Sequence, residues 1–413
     1  MNRLFVMSLI VMTARAAAAE ELTAEAAVAF ALDRNPELAA LASEVRAADA
    51  RVGGAKLLFQ SNPELTAAAG PRRTGSERST DLELEVTQRL ELFGQRGAHI
   101  EAAVAEREAA AARLGARRVE VCATVRGAHA RALAAQRLLA VARDDLTVTR
   151  DAVRAAERRA ELGSASRLEV NAARGEVGRA ARAVSVATVE LASARSELRL
   201  LLALDPAAEL TLGGGLPEAT QLHLQPVDAL AGEARQNRAD VVAARRAVAA
   251  AEAERRLSGR EAVPSPVLGA RFAREERADI LLGTLSFDLP IFNRNQAARG
   301  VASARANQAA TELAAAMRRA DQDVRLAAER LAAAMEAAHA FEGEVVVGAE
   351  ENLTLSTRAY EAGKIGLAEL LLMRRSAMEA RREHIEALTD LAEAEAELAR
   401  AVGSEKLLTR LLP

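Results

Sequence analysis

The sequence predicts a mainly α-helical protein with a small β part, built as a twice-repeated unit of strand hairpin plus long coiled-coil helices. Three observations carry that class. A turn motif recurs at an offset of 200 residues: Glu161-Leu162-Gly163 with Leu168-Glu169-Val170 returns as Glu361-Ala362-Gly363 with Ala368-Glu369-Leu370. The ten prolines leave two stretches, 72–205 and 291–412, free of helix breakers. Segments ahead of each stretch alternate apolar and polar residues with the period of a strand. A motif returning at a fixed offset points to a duplicated, pseudo-symmetric unit.

Composition agrees with helices packed through narrow seams. Of 413 residues half are hydrophobic but only 2 % are aromatic, and tryptophan is absent. That is too few large side chains for ordinary compact cores, whereas Ala, Leu, Arg and Glu suit long helices. The net charge of −3 offers no basic surface for nucleic acid. One cysteine, Cys122, allows no internal disulfide and reads as a small apolar seam residue. Residues 1–19 read as a signal peptide: Asn2 and Arg3, an apolar run from Leu4 to Met12, and Ala16 to Ala19 before Glu20. The run is too short to span a membrane, and no cysteine follows it to be lipidated. Its removal would take Arg3 and Arg15, moving the net charge from −3 to −5.

The first repeat is placed at 20–212. Its hairpin, about 63–92, has a short arm at Glu64–Ala69, a loop at Pro71–Ser79, and an alternating arm. That arm sets Leu82, Leu84, Val86, Leu90 and Leu92 against Glu83, Glu85, Thr87, Arg89 and Glu91. A helix from Gly94 to Gly163 would be roughly 100 Å long at 1.5 Å per residue. Its seam is Leu114, Val121, Val125, Ala128, Ala132, Ala135, Leu139, Ala142, Leu146 and Val153. After the turn at Gly163 the seam continues through Val170, Ala173, Val177, Ala180, Val184, Ala187, Leu191, Ala194 and Leu198. Residues 213–226, rich in Gly and Pro, form the linker.

The second repeat, 227–404, copies this plan, and 405–413 is a tail. Its hairpin, about 265–292, pairs Val267–Ala273 with an arm carrying Leu281, Leu285, Phe287, Leu289 and Ile291. The seam of the following helix is Val324, Ala327, Leu331, Ala334, Ala338, Phe341, Val345, Gly348, Asn352, Leu355 and Ala359. Beyond Gly363 it runs from Leu370 through Met373, Ala377, Ala380, His384 and Leu391 to Leu398. Gly163 and Gly363 are the expected helix C-terminal turn residues.

No enzyme emerges. The five histidines, His99, His129, His223, His339 and His384, have neither catalytic nor metal-ligand spacing, and no phosphate-binding loop or nucleophile elbow occurs. No catalytic, cofactor or metal residue is therefore assigned. Strands of roughly 9–11 alternating residues suit a transmembrane β-barrel. Four strands cannot close one, so the barrel would be shared: two copies give eight strands, three give twelve and leave a lumen. The rival reading is two soluble hairpins on a secreted coiled-coil structural or adaptor protein without a pore.

These residues resemble the TolC-type outer-membrane efflux proteins, and within them the CzcC-like heavy-metal branch. The resemblance rests on Leu22-Thr23 with Ala26, Ala29 and Asn35-Pro36-Glu37, echoed by Asp228-Ala229-Leu230 and Asn237 to Asp240. It rests also on Glu85, Gln88, Leu90-Glu91-Leu92, Gly94 and Arg96 with Leu289-Pro290-Ile291-Phe292, and on the two turns. It implies a homotrimer in outer-membrane lipid whose twelve shared strands continue into a trimeric α-barrel tunnel. It implies a passive exit duct working with a periplasmic adaptor and an inner-membrane RND pump, with heavy-metal cations as cargo. Drug efflux and type I protein secretion are the alternatives. By the same resemblance Tyr360, Lys364, Glu169 and Glu369 are channel gate candidates, and Gly163 and Gly363 mark the periplasmic turns. Two departures stand out: the family's gating arginine position holds Ile365, and a second acidic position holds Leu372.

Overall fold

The computed structural model describes residues 21–74, 77–217, 225–275, 278–341 and 344–403. The expected signal peptide, the tail from 405 and most of the linker past Pro217 lie outside them. In chain order the elements are α1 (Ala24–Arg34), α2 (Pro36–Ala55), β1 (Glu64–Thr74), β2 (Glu77–Arg89), α3 (Gln95–Glu161) and α4 (Arg167–Leu201). Then come α5 (Val227–Asn237), α6 (Ala239–Arg260), β3 (Val267–Glu275), β4 (Ala278–Ser286), α7 (Gln296–Phe341), α8 (Glu344–Glu361) and α9 (Leu367–Val402). The protein is mainly helical with one small antiparallel sheet. Among the described residues no helix is long and apolar enough to cross a membrane.

Local chemistry sets the boundaries. Asn35, in an extended conformation, caps α2 by accepting from Glu37 N at 2.9 Å and Leu38 N at 3.2 Å, and Pro36 takes the first helical position. Gly94, at φ 85°, turns the chain from the β2 arm into α3.

The sheet order is β1-β2-β3-β4, so the two hairpins join through β2 and β3, and β1 and β4 are the edges. Both hairpins run further towards their tips than alternation suggests, because β1 continues through Pro71. An edge strand tolerates a proline whose missing N–H faces no partner. At the other end β2 stops at Arg89 and β4 at Ser286, so Leu92, Leu289 and Ile291 lie beyond the strands. Register sorts the two faces. One carries Leu65, Ala67, Leu82, Leu84, Val86, Leu268, Ala270, Phe272, Leu281 and Leu285. The other carries Thr66, Arg72, Asp81, Glu83, Glu85, Arg271 and Thr284 together with Ile280 and Leu282 of β4, tied by Arg271–Glu83 at 2.8 Å and by Arg72 to Asp81 at 2.7 Å and Glu275 at 3.2 Å. Gly269 also lies on this polar face, where any Cβ would collide with the Thr284 hydroxyl and crowd Thr87. Gly269→Val is expected to cost the sheet about 1–3 kcal/mol, read as a lowered midpoint in chemical denaturation.

The chain divides into two compact units. The first comprises Met1–Asp33, Thr124–Thr220 and Ala334–Glu393; the second comprises Arg34–Ala123, Gln221–Ala333 and Ala394–Pro413. In the first, Ala135 and Leu139 of α3 meet Ala187 and Leu191 of α4. In the second, Ala98 and Ala102 of α3 meet Ala253 and Leu257 of α6. Alanine at these contacts leaves little side chain between the helices, which is why so few aromatics suffice. Most of the apolar register of α4 and α9 is buried, from Val170 to Leu198 and from Leu370 to Leu398, while Val177, Val184, Ala194, Met373 and His384 are half-buried. The seam from Val324 to Ala338 is buried too, but it does not carry into α8: Val345 and Leu355 are 46 % and 53 % exposed, and Asn352 is exposed. The packed positions there are Leu353, Thr357 and Tyr360. The packed phase of α8 thus differs from the one that the heptad pattern of α7 would extend into it.

One buried acid in the second unit has a measurable consequence. Burial in α9 pushes the Glu395 carboxyl up to about 7. The folded chain then holds a proton that the unfolded chain loses near 4.5. Stability is therefore highest below that pH, falls as pH rises towards 7, and stays reduced above it. Glu395→Gln is expected to remove a penalty of about 3 kcal/mol at most, raising Tm at about pH 8 and not at about pH 4.

Candidate functional site

The residues singled out by the repeated turn gather at the ends of α3 and α8 and the starts of α4 and α9, all within the first unit. Both turns close in the same way. Gly163 and Gly363 take φ of 74° and 71°. Gly163 N donates to Ala160 O at 3.0 Å and Ser164 N to Arg159 O at 2.7 Å. Gly363 N donates to Tyr360 O at 2.9 Å and Lys364 N to Ala359 O at 2.8 Å. These paired bonds satisfy carbonyls that the helix end would orphan, and the left-handed residue between them favours glycine. Ser166 then caps α4 by accepting from Glu169 N at 3.3 Å, with Glu169 in the first turn.

Tyr360 is fully buried among Ala155, Ala156, Val170, Ala173, Leu367 and Leu370. The Arg159 guanidinium lies over its ring, 4.4 Å from the centroid, and donates through Nη1 to the Tyr360 carbonyl at 3.0 Å. Among the described residues the buried phenol hydroxyl and Oε2 of Glu169 meet no partner at hydrogen-bonding geometry. Burial pushes the Tyr360 phenol up; Arg159 opposes that, and the Glu169 carboxylate adds to it. Of the four gate candidates, the structure therefore brings Tyr360 and Glu169 into one environment. Lys364 and Glu369 are exposed. Ile365 packs against the apolar cluster, so arginine chemistry at this turn comes from Arg159 on α3 instead.

A second constellation lies further along the same helices. Arg374 of α9, 8 % exposed, reaches Asp145 of α3 at 3.1 Å, Glu176 of α4 at 2.9 Å, and the buried Thr149 hydroxyl. Burial is the largest influence on Asp145 and raises its carboxyl, against the pull of Arg374. Glu176 is lowered, first by its bond from Arg179 and also by Arg374. The Glu176 contribution to stability is thus present above pH 4.5, its unfolded value, and is lost as pH falls through its lower folded value. Neither Arg159 nor Arg374 was singled out from the sequence. A signal for the second existed: Arg374 stands 200 residues after Arg174, which bridges α4 to Glu157 of α3 at 2.7 Å, so the repeat places an arginine in the same helix twice. Among the described residues no group of three or more His, Cys, Asp or Glu could hold a metal ion.

The arrangement is one of helix ends, caps and cross-helix clamps, with an amphipathic sheet elsewhere in the chain. Comparison with known proteins places it. The cobalt-zinc-cadmium resistance protein CzcC of Cupriavidus metallidurans is 28 % identical over 393 residues, spanning 94 % of this chain and 91 % of that protein. A membrane protein from Pseudomonas aeruginosa shares the fold with a TM-score of 0.77 at 22 % identity, over 92 % of this chain and 93 % of that one. The structure of CusC gives 0.76 at 20 % identity, over 93 % and 92 %. Residues 27–204 and 230–404 match the outer membrane efflux protein family, one match to each half of the repeat and together most of the chain. The chain belongs to the outer membrane efflux protein family.

Proposed function

We propose that this channel protein is the passive exit duct of a tripartite efflux system, acting as a homotrimer with a periplasmic adaptor and an inner-membrane RND pump. The observation that carries the reading is the sheet: one face is apolar over the middle of all four strands and ends in Gln88 on one side and Arg274 and Asp279 on the other, the opposite face carries most of the charged residues, and among the described residues both edge strands lack an outer partner. An apolar face suits lipid, but open edges are tolerated there only if the sheet closes with others. Three copies would supply twelve strands with the Glu83, Glu85 and Arg271 face lining a lumen. Light scattering in detergent tests this, with a trimer expected and a stable monomer in buffer alone overturning it.

Heavy-metal cations are the proposed cargo, supported by the likeness to CzcC along nearly the whole chain. Cells carrying the pump and adaptor genes should lose tolerance to cobalt, zinc or cadmium ions when this chain is deleted and regain it on complementation. Loss of drug tolerance or of protein export instead would redirect the assignment. The turns form the entrance. Arg159 clamps Tyr360 from α3, while the Tyr360 hydroxyl and the Glu169 carboxylate supply a donor and an acceptor for a bond made in another state of the entrance. Glu369, exposed in the first turn of α9, would form a threefold acidic ring favouring cations. In planar bilayers Arg159→Ala is expected to raise closed-state leak, and Glu369→Gln to lower cation selectivity without changing leak. Wild-type behaviour in both would return the turns to a packing role.

A further inference from the structure

The apolar face of the sheet does not stop where the strands stop. Leu268 and Leu285 pair across β3 and β4 on that face. Both also line a cavity of about 630 Å³ whose other walls include Phe93, Pro264, Phe287 and Leu289. Asp288 is the single charged residue in its lining. Phe287 and Leu289 are 58 % and 67 % exposed, so the slot is open along one side. Two cations lie beside the slot without lining it. The Arg260 side chain lies against Gly94, next to Phe93. Arg294 donates from Nε to the carbonyl of Pro290, another lining residue, at 3.1 Å. Neither arginine has an ion-pair partner among the described residues. Of the acids nearby, Glu261 accepts from Asn295 at 3.3 Å and Glu91 lies 3.5 Å from His99.

We propose that this slot is a phospholipid site: one acyl chain occupies the cavity, and the phosphate of an anionic headgroup is held by Arg260 and Arg294. The inference rests on reading the sheet as membrane-spanning. Continuity argues for the occupant, since Leu268 and Leu285 belong at once to the slot and to the face that would meet lipid. Water is a poor filler, because a wall this apolar gives it almost no hydrogen-bond partners. The charge order fits as well, with apolar surface ending at two unpaired guanidiniums, the arrangement that recruits anionic lipid at a membrane surface. A second copy covering the slot would bury apolar area but would leave both arginines without a counter-charge.

Native mass spectrometry tests this on full-length protein taken from the outer-membrane fraction into detergent, with equal amounts of phosphatidylglycerol and phosphatidylcholine added. Retained phosphatidylglycerol is expected to exceed phosphatidylcholine by about fivefold for each arginine. The double substitution Arg260→Gln with Arg294→Gln should remove that preference while leaving total bound lipid nearly unchanged. Leu268→Trp, which fills the slot, should reduce both lipids. Equal retention of the two lipids by the unsubstituted chain overturns the inference. So does absence of bound lipid together with an efficient disulfide between Phe59→Cys of one copy, an exposed residue just ahead of edge strand β1, and Leu289→Cys of another, just past edge strand β4, which would show the slot covered by protein. Recovery of the chain without detergent would overturn the membrane reading along with this one, whereas a membrane-bound chain with no lipid preference overturns this one alone.

Discussion

Arg374→Ala is expected to destabilise the packing of α3, α4 and α9 by about 3–5 kcal/mol, because it removes one member of a buried ion cluster, leaving Asp145 uncompensated and Glu176 with Arg179 alone. Arg374 is 8 % exposed and serves Asp145, Glu176 and Thr149 at once. Solvent cannot replace it well. Asp145 is already raised by burial, so without the guanidinium it should take up a proton at still higher pH, and the loss should shrink on acidification. Hydrogen exchange of the α3 and α9 amides around 145–149 and 374, at neutral and at acidic pH, checks both statements. Replacing the cluster together, with Arg374→Met, Asp145→Asn and Glu176→Gln, should recover most of the stability, since no buried charge would remain. A loss below about 1 kcal/mol in the single variant would mean that the cluster behaves like a surface pair.

Leu84→Arg and Leu285→Arg should each impair assembly into the membrane by about 2–4 kcal/mol if the residue sits near mid-bilayer. Both lie on the apolar face fixed by register, Leu84 opposite Ala67 and Phe272, and Leu285 opposite Leu268. Glu85→Arg lies on the other face, where Glu85 accepts from the Thr284 hydroxyl at 3.3 Å. It should leave assembly nearly intact and alter conductance instead. Extraction yield of heat-resistant oligomer from outer membranes reads the first effect and single-channel recording the second. Equal tolerance at the three positions would point to a sheet that does not enter lipid.

Much of this architecture is legible in the residues because it depends on local patterns. Alternation placed Leu82, Leu84 and Val86 on one face, since successive strand residues must point oppositely, and the structure keeps that face across all four strands. Gly163 and Gly363 announced helix ends because the left-handed conformation after a helix is costly for other residues. Strand ends were less legible. Alternation runs on through Leu92 and Ile291 after pairing has ceased, and pairing runs on through Pro71, where the pattern is broken. Pairing is decided by what lies alongside, which a single strand's pattern does not contain.

The sequence by itself determined the duplicated plan, the two glycine turns, the facing of β2 and β4 and most of the alanine seams of α4 and α9. Each of these follows from chain periodicity or from one residue's backbone preference. Tertiary structure decided the rest. It set the packed face of α8, which puts Tyr360, not Leu355, in the core. It supplied Arg159 to the Tyr360 ring from a partner 201 positions away. It also joined Arg374 to Asp145 and Glu176, across 229 and 198 positions. The physical reason is common to all three: a long side chain finds its partner across helices, and which helix lies there is fixed by packing rather than by spacing along the chain.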